Sequence, residues 1–581
     1  MASVMALVVT LLPLGGMPSA RAAQPHPATP KFGKAIEPYA AYEANKVCDP
    51  VNRPGASKIA NLIRQTYGND ESIGIARDAC YTTSEHNDGR ALDWMVDATT
   101  KAGRAKAKSF LHWLLATDKH GNTDAMARRL GIMYIIHDRR IWRSYDGGHW
   151  GPYNGTNPHT DHIHISLGYD GSTGRTSFWT GKPLAPSCSN GALTTSAPKM
   201  QTDPMRYVPV TPTRLASTES GAGMIGGPCR LFHGSGKRVD VQVTGTGPVP
   251  GKGVAAVSLN VEMRRPSWVS SLRAGPAGGD IPAVQRVSAE QNQVSTASMV
   301  LPVGADGKVS FFTSFGATDL AVSVVGYYVD PAAPERVQRQ IAADGGDEFD
   351  AVRPNRVAQL GLGAKDSRKV VVAGVGGTAS AASSAAVSLT VGAGSGHGAV
   401  YVYPAGQDRP KVAAVTYGKK ASTGQTMVPI GRGGAITVEN VGTDGRAVSV
   451  DMSGAYEPAK LAGGTSLALS KSPKKVVDTG NGLGLGKLGD GASKTISLGK
   501  AVPRGTDSVL LQVTVKNAKA DGALTFWRPG TSRPGTVDLS VRSGDVVTGT
   551  VLAQVEHRQV NVKNVGAVGL DLKVTVLGSF R

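Results

Sequence analysis

No lysine or arginine run in this 581-residue chain exceeds two residues, although the formal net charge is +19. An excess of that size suits an anionic partner, whether nucleic acid, acidic lipid or an acidic cell-wall polymer. Without a run it reads as a dispersed basic surface, and no specific nucleic-acid partner is expected. Aromatic residues (6%) and charged residues (18%) are both sparse. The four cysteines include no CxxC pair, which argues against a cysteine-held metal. No collagen-like Gly-X-Y period accounts for the 74 glycines. The most apolar run, Val4 to Leu14, falls short of the ~20 residues that a membrane-spanning helix needs. What is present is 40% apolar residues, enough for packed cores, so wholesale disorder is excluded. A Gly- and Val-rich chain with few long helical runs points to much β structure, and the length suggests three or four domains of ~150 residues.

The N-terminal run followed by Ala20-Arg21-Ala22 reads as a secretory signal peptide, residues 1–22, with cleavage after Ala22. The mature chain is expected to be secreted, extracellular or wall-associated, without membrane contact, and monomeric. An even cysteine count fits that compartment. Of the three possible connectivities, Cys48–Cys80 with Cys188–Cys229 is the simplest, because each pair stays local.

Residues 23–40 hold four prolines and no periodicity, and read as a flexible leader. Residues 41–184 hold five of the seven tryptophans and eight of the twelve histidines. Helical spacing over Ala56–Tyr67, Lys106–Ala116 and Thr123–Leu130, with strands at Ile132–Ile136, Arg140–Arg143 and His162–Leu167, predicts an α+β domain. A Ser/Thr/Pro/Ala-rich linker is expected at residues 185–205. The remainder repeats. Ala255-Ala256-Val257-Ser258-Leu259-Asn260-Val261 returns as Ala385-Ala386-Val387-Ser388-Leu389-Thr390-Val391, and more weakly as Leu511-Gln512-Val513-Thr514-Val515. Pro212-Thr213-Arg214, Pro354-Asn355-Arg356 and Pro473-Lys474-Lys475 open the copies. The period predicts three tandem domains, residues 206–332, 333–460 and 461–581, and the alternation predicts all-β sandwiches. The arrangement resembles the repeated C-terminal domains of secreted actinobacterial proteins.

Two clusters carry chemistry. One is Ser84-Glu85-His86-Asn87-Asp88-Gly89-Arg90-Ala91-Leu92-Asp93, the other His159-Thr160-Asp161-His162-Ile163-His164. A hydrolytic zinc site takes three N or O ligands and leaves one position open. One His and one Asp from the first cluster, with one His from the second, supply such a set. Gly89 permits a sharp turn after His86. If Ala91–Met95 is a strand, Ala91 and Asp93 share a face, as do His162 and His164 with Ile163 and Ile165 packed behind.

Ser84, His86, Gly89, Ala91 and Asp93 form SxHxxGxAxD. With the late His162-x-His164, the pattern resembles the LAS zinc peptidases. That group includes D-Ala-D-Ala carboxypeptidases, lysostaphin-type endopeptidases and the Hedgehog signalling domain. The spacing His159-x-x-His162-x-His164 is most similar to the penicillin-insensitive murein endopeptidases. The resemblance implies Zn²⁺ on His86, Asp93 and His164, with His162, Asp161 and His159 as catalytic candidates. It implies a peptidase acting on peptidoglycan stem peptides or cross-links. The carboxypeptidase branch has Glu where this chain has Asp161, so Asp161 is expected either as base or as the partner orienting a histidine. The alternative is an inactive zinc-binding surface or adhesion protein, as the Hedgehog relative suggests. His112, His120, His137 and His149 are expected as bystanders, and Asp88 and Asp97 as solvated.

Overall fold

The computed structural model describes residues 25–45, 47–78, 80, 82–342, 346–459 and 464–581. The expected signal peptide, residues 1–22, lies outside the described residues. The chain divides into two compact units, one ending at Pro183 and the other running Leu184–Arg581.

In the first unit, α1 (Pro54–Tyr67) opens with proline in its first turn, where a missing N–H costs nothing, and buries Ile59 and Ile63. After β1 (Ile73–Gly74) and β2 (Ala91–Trp94) comes α2 (Lys101–Leu115), whose N-terminus is capped by Thr100 Oγ accepting from Gly103 N. Then follow α3 (Ala125–Leu130), β3 (Ile132–His137), β4 (Arg140–Arg143), β5 (His149–Pro152) and β6 (Ile163–Leu167). The strands make one six-stranded sheet in the order β1-β2-β6-β3-β4-β5, antiparallel at every pairing. Leu92, Trp94, Ile163 and Ile165 pack with Ile59, Phe110 and Leu114 in one core. Period-two alternation therefore turns Asp93 and His164 to the other face, and the register sets these two residues directly opposite each other.

Two expectations need correction here. From Pro25 onward, the segment read as a flexible leader is packed: Phe32, Ile36 and Tyr39 lie against the core. Arg129, fully buried, donates to the carbonyls of Gly33 and Ala35, each at 3.1 Å. A buried guanidinium needs such acceptors, and the segment supplies them. Asp88 is not solvated. It is 0% exposed, and its Oδ2 accepts from Arg90 Nε at 2.9 Å. Arg90 is equally buried, stacks over Tyr169 and donates to the carbonyls of Leu167 and Glu43.

The second unit is β structure in a thrice-repeated pattern. In the third copy, strands Val547–Gln554, Ser508–Lys516, Asp571–Phe580 and Leu467–Asp478 form one four-stranded sheet. It shares a core with a second four-stranded sheet of Ser493–Ser497, Gln559–Val565, Gly522–Trp527 and Leu539–Val541. The first two copies have the same pairing order, and their first sheets join where Tyr207 pairs with Asp347. The expected linker, residues 185–205, is tied to the first copy. Cys188 bonds Cys229, and Thr194 and Thr195 donate to Asp306.

The copies close on one another. Thr426 donates to Asn260, Ser388 donates to the Val537 carbonyl, and the Ser288 and Thr548 hydroxyls bond at 3.1 Å. First therefore meets second, second meets third, and third meets first. A shared core contains Tyr207, Tyr328, Phe349, Tyr456, Leu510 and Phe580, with Tyr328 and Tyr456 bonded hydroxyl to hydroxyl at 2.8 Å.

Candidate metal centre

The site begins with a turn. Ser84 caps the short 3-10 segment Glu85–Asp88 through its side chain, and Gly89 ends it at φ 70°. A Cβ at Gly89 would lie 1.8 Å from the Val51 carbonyl oxygen, so only glycine fits. The turn delivers His86 beside β2 and β6. His86 Nδ1 donates to the Ile75 carbonyl, leaving Nε2 facing Asp93 Oδ1 at 3.2 Å and His164 Nδ1 at 3.3 Å. Asp93 Oδ1 and His164 Nδ1 are 2.8 Å apart. All three residues are buried, and their donor atoms lie close enough together to hold one ion.

The donor set fits a transition metal such as zinc. Bonds of ~2.0–2.1 Å in tetrahedral geometry place donors about 3.3 Å apart, close to the 3.2 and 3.3 Å separations from His86 Nε2, while the Asp93–His164 pair is tighter at 2.8 Å. Burial holds the His86 imidazole at about 3 and that of His164 at about 4, so both are neutral and able to donate a lone pair at neutral pH.

Each ligand is held from behind. His164 Nε2 donates to Ser166 Oγ at 3.0 Å, and Ser166 Oγ donates to Glu85 Oε2 at 3.3 Å. The same Glu85 oxygen accepts from Tyr134 OH at 2.5 Å, while the Tyr134 ring stacks on His164. Supports of this kind fix a ligand's tautomer and ring angle. The Arg77 guanidinium rests on Asp93 Oδ2, with Nη2 3.4 Å from His86 Nε2.

The catalytic candidates surround the cluster. His162 Nδ1 donates to Asp161 Oδ1 at 2.7 Å, and its Nε2 sits 3.6 Å from Asp93 Oδ1. Burial lowers the His162 pKa, opposed by the Asp161 hydrogen bond. Asp161 itself is 64% exposed, placed as an orienting partner on the solvent side of the ring. His159 sits at φ 52°, donates through Nδ1 to the Asn157 carbonyl, and packs its ring 4.6 Å from that of His162. Burial pushes it down to about 4. Of the expected bystanders, His137 bonds the His162 carbonyl through Nδ1, and His120 reaches the Phe32 carbonyl.

Sequence reasoning passed over Glu85, Tyr134, Ser166 and Arg77. Ser166 carried a signal, since it stands two residues from His164 on one strand and so shares its face. Tyr134 and Arg77 are brought in only by tertiary structure.

A buried His–Asp–His cluster, with Asp93 and His164 on adjacent strands of an antiparallel sheet and His86 on the turn beside them, in a unit joined in sequence to a unit of β sheets, defines a candidate metal-binding protein. Residues 49–164, which span the whole cluster, match the family model described as "VldE, C-terminal domain". No curated protein matches the chain. Among solved structures, similarity is found to Sulfolobus Turreted Icosahedral Virus, at 7% identity over 68% of this chain and 98% of that one, TM-score 0.14. The CBM22-1-CBM22-2 tandem domain of Paenibacillus barcinonensis Xyn10C matches at 9% identity over 40% and 99%, TM-score 0.13. The lipid-containing bacteriophage PM2 matches at 9% over 61% and 98%, TM-score 0.10. At such TM-scores these likenesses carry no inference.

Proposed function

We propose that this chain is a secreted, zinc-dependent peptidase that cleaves stem-peptide or cross-link amide bonds of peptidoglycan. The observation that carries the reading is the convergence of His86 Nε2, Asp93 Oδ1 and His164 Nδ1, with His162 Nε2 3.6 Å from the same Asp93 oxygen. The substrate class rests on the LAS resemblance of SxHxxGxAxD and HxH.

His86, Asp93 and His164 would hold the ion, which supplies Lewis acidity and lowers the pKa of water toward neutrality. His162 presents Nε2 to the reacting centre. With Nδ1–H committed to Asp161, the ring accepts a proton at Nε2 and passes it to the leaving amine. Once protonated, the same ring stabilises negative charge on the attacked carbonyl oxygen. His159 buttresses that ring. The repeat unit, with 42 Lys and Arg against 28 Asp and Glu in residues 184–581, retains the enzyme on an anionic wall polymer.

One observation favours the second reading, an inactive surface protein. Arg77 places a cation on Asp93 and beside His86, neutralising the cluster without metal. Digestion of purified wall with and without chelator, by wild type and by Arg77→Ala, separates the two. A peptidase releases chelator-sensitive muropeptides. An inactive protein releases none, and still none when Arg77 is removed.

A further inference from the structure

We propose that the cleft between the third and first β repeats binds an anionic glycopolymer, recognising an oxyanion and a neighbouring hydroxyl together. Its volume is about 270 Å³. One wall is the outer face of the third repeat's first sheet, from which Lys475, Lys573 and Lys516 project on three adjacent strands. The other wall is residues 283–285 of the first repeat. The alternate residues Val574 and Val576 are buried in the sandwich core, so the lysines are committed to the cleft side.

The second repeat supplies an internal comparison. There the cross-strand row reads Arg356, Asp451, Ser388, and Arg356 grips Asp451 through two bonds of 2.8 and 3.2 Å. That charge is satisfied within the fold. The matching row in the third repeat reads Lys475, Thr575, Gln512, with threonine in place of the carboxylate. Lys475 and Lys573 turn instead to a single carboxylate oxygen, Asp478 Oδ2, at 2.6 and 3.4 Å. Three ammonium groups thus line one cleft: two share the Asp478 carboxylate, and Lys516 stands cross-strand from Asp571, whose Oδ2 accepts from Asn517 at 2.7 Å. The surrounding residues 461–581 carry 16 Lys and Arg against 8 Asp and Glu, the largest excess of the three repeats.

A second feature points to the ligand. Gln512 is 3% exposed and lines the cleft, and its Nε2 donates to the Gly549 carbonyl at 2.9 Å. Its Oε1 is buried without a hydrogen-bond partner. A buried acceptor left unmade costs free energy, and a ligand hydroxyl would satisfy it. Ammonium groups for an oxyanion beside an acceptor for a hydroxyl describe a sugar or polyol that carries phosphate or carboxylate. The inference does not depend on metal chemistry in the first unit.

The test uses the full chain, with and without chelator, titrated calorimetrically with poly(glycerol phosphate), polygalacturonate, polyphosphate and dextran. One of the first two should bind more tightly than polyphosphate, which lacks the hydroxyl, and dextran should not bind. Which of the two binds identifies phosphate or carboxylate as the anion. Lys516→Gln/Lys573→Gln should weaken that binding about tenfold, ~1.4 kcal/mol. The single change Lys516→Gln, which leaves the Asp478 contacts intact, should weaken it in the same direction. Lys487→Gln/Lys500→Gln, an equal charge loss outside the cleft, should leave it within about twofold. Equal losses in the two double variants, polyphosphate binding as tightly as either glycopolymer, or no polyanion binding at all would overturn the proposal. Chelator should change none of these values, so a failed peptidase assay leaves this result standing on its own.

Discussion

The Nδ1–H of His162 donates a hydrogen bond to Asp161 Oδ1 across 2.7 Å, which leaves Nε2 of the same ring 3.6 Å from Asp93 Oδ1. The pair fixes one tautomer and points its basic nitrogen at the candidate metal cluster. His162→Ala should therefore retain the metal and lose roughly 10²–10⁴-fold in kcat, the range typical of proton-transfer groups. Asp161→Asn should cost less, because the ring keeps its place. Metal content and kcat measured on both variants check this, and a larger loss in Asp161→Asn would make Asp161 the base.

The Glu85–Ser166 pair behind His164 should act on metal affinity without contributing a ligand. Ser166→Ala removes the acceptor for His164 Nε2. A loss of about 10–100-fold in affinity is expected for such a support, read by competition with a chromogenic chelator. Unchanged affinity would assign Ser166 to packing alone.

The shared core of the β unit should make its three copies unfold together. Phe580 packs 4.8 Å from Phe349 of the second copy. Phe580→Ala should cost ~3–5 kcal/mol and lower one common calorimetric transition. Separate transitions, with only the third copy shifted, would contradict a common core.

Asp538 gives the β unit a pH dependence. Burial raises its pKa to about 7, aided by the nearby Asp451 charge and opposed by the Phe526 N–H bond. Its folded state thus keeps a proton that the unfolded chain releases near ~3.9. The folded form binds more protons between those values, so stability falls as pH rises from about 4 through 7. Unfolding at pH 5 and pH 8 should show the lower melting temperature at pH 8, and Asp538→Asn should reduce the difference.

The donor residues were legible because they fall in two compact motifs. His86 and Asp93 flank one glycine turn, and the HxH pattern puts His164 on β6 with His162 immediately before that strand. The repeats were legible because Val257-Ser258-Leu259 and Val387-Ser388-Leu389 preserve strand alternation. What escaped depends on distant partners. Asp88 is indistinguishable from a surface aspartate until the distant Leu167 and Glu43 carbonyls hold Arg90 buried against it, and residues 25–40 look unstructured until Arg129 takes the Gly33 and Ala35 carbonyls. Closure of the repeats rests on Tyr328 meeting Tyr456 across 128 positions, a contact no local pattern encodes.

The most direct measurement pairs elemental analysis of the purified protein with mass spectrometry of muropeptides it releases from wall. One equivalent of zinc and amide-cleaved products that disappear with chelator are predicted for the wild type, and neither for His164→Ala. Bound zinc undiminished in His164→Ala, or products that persist in chelator, would contradict the account.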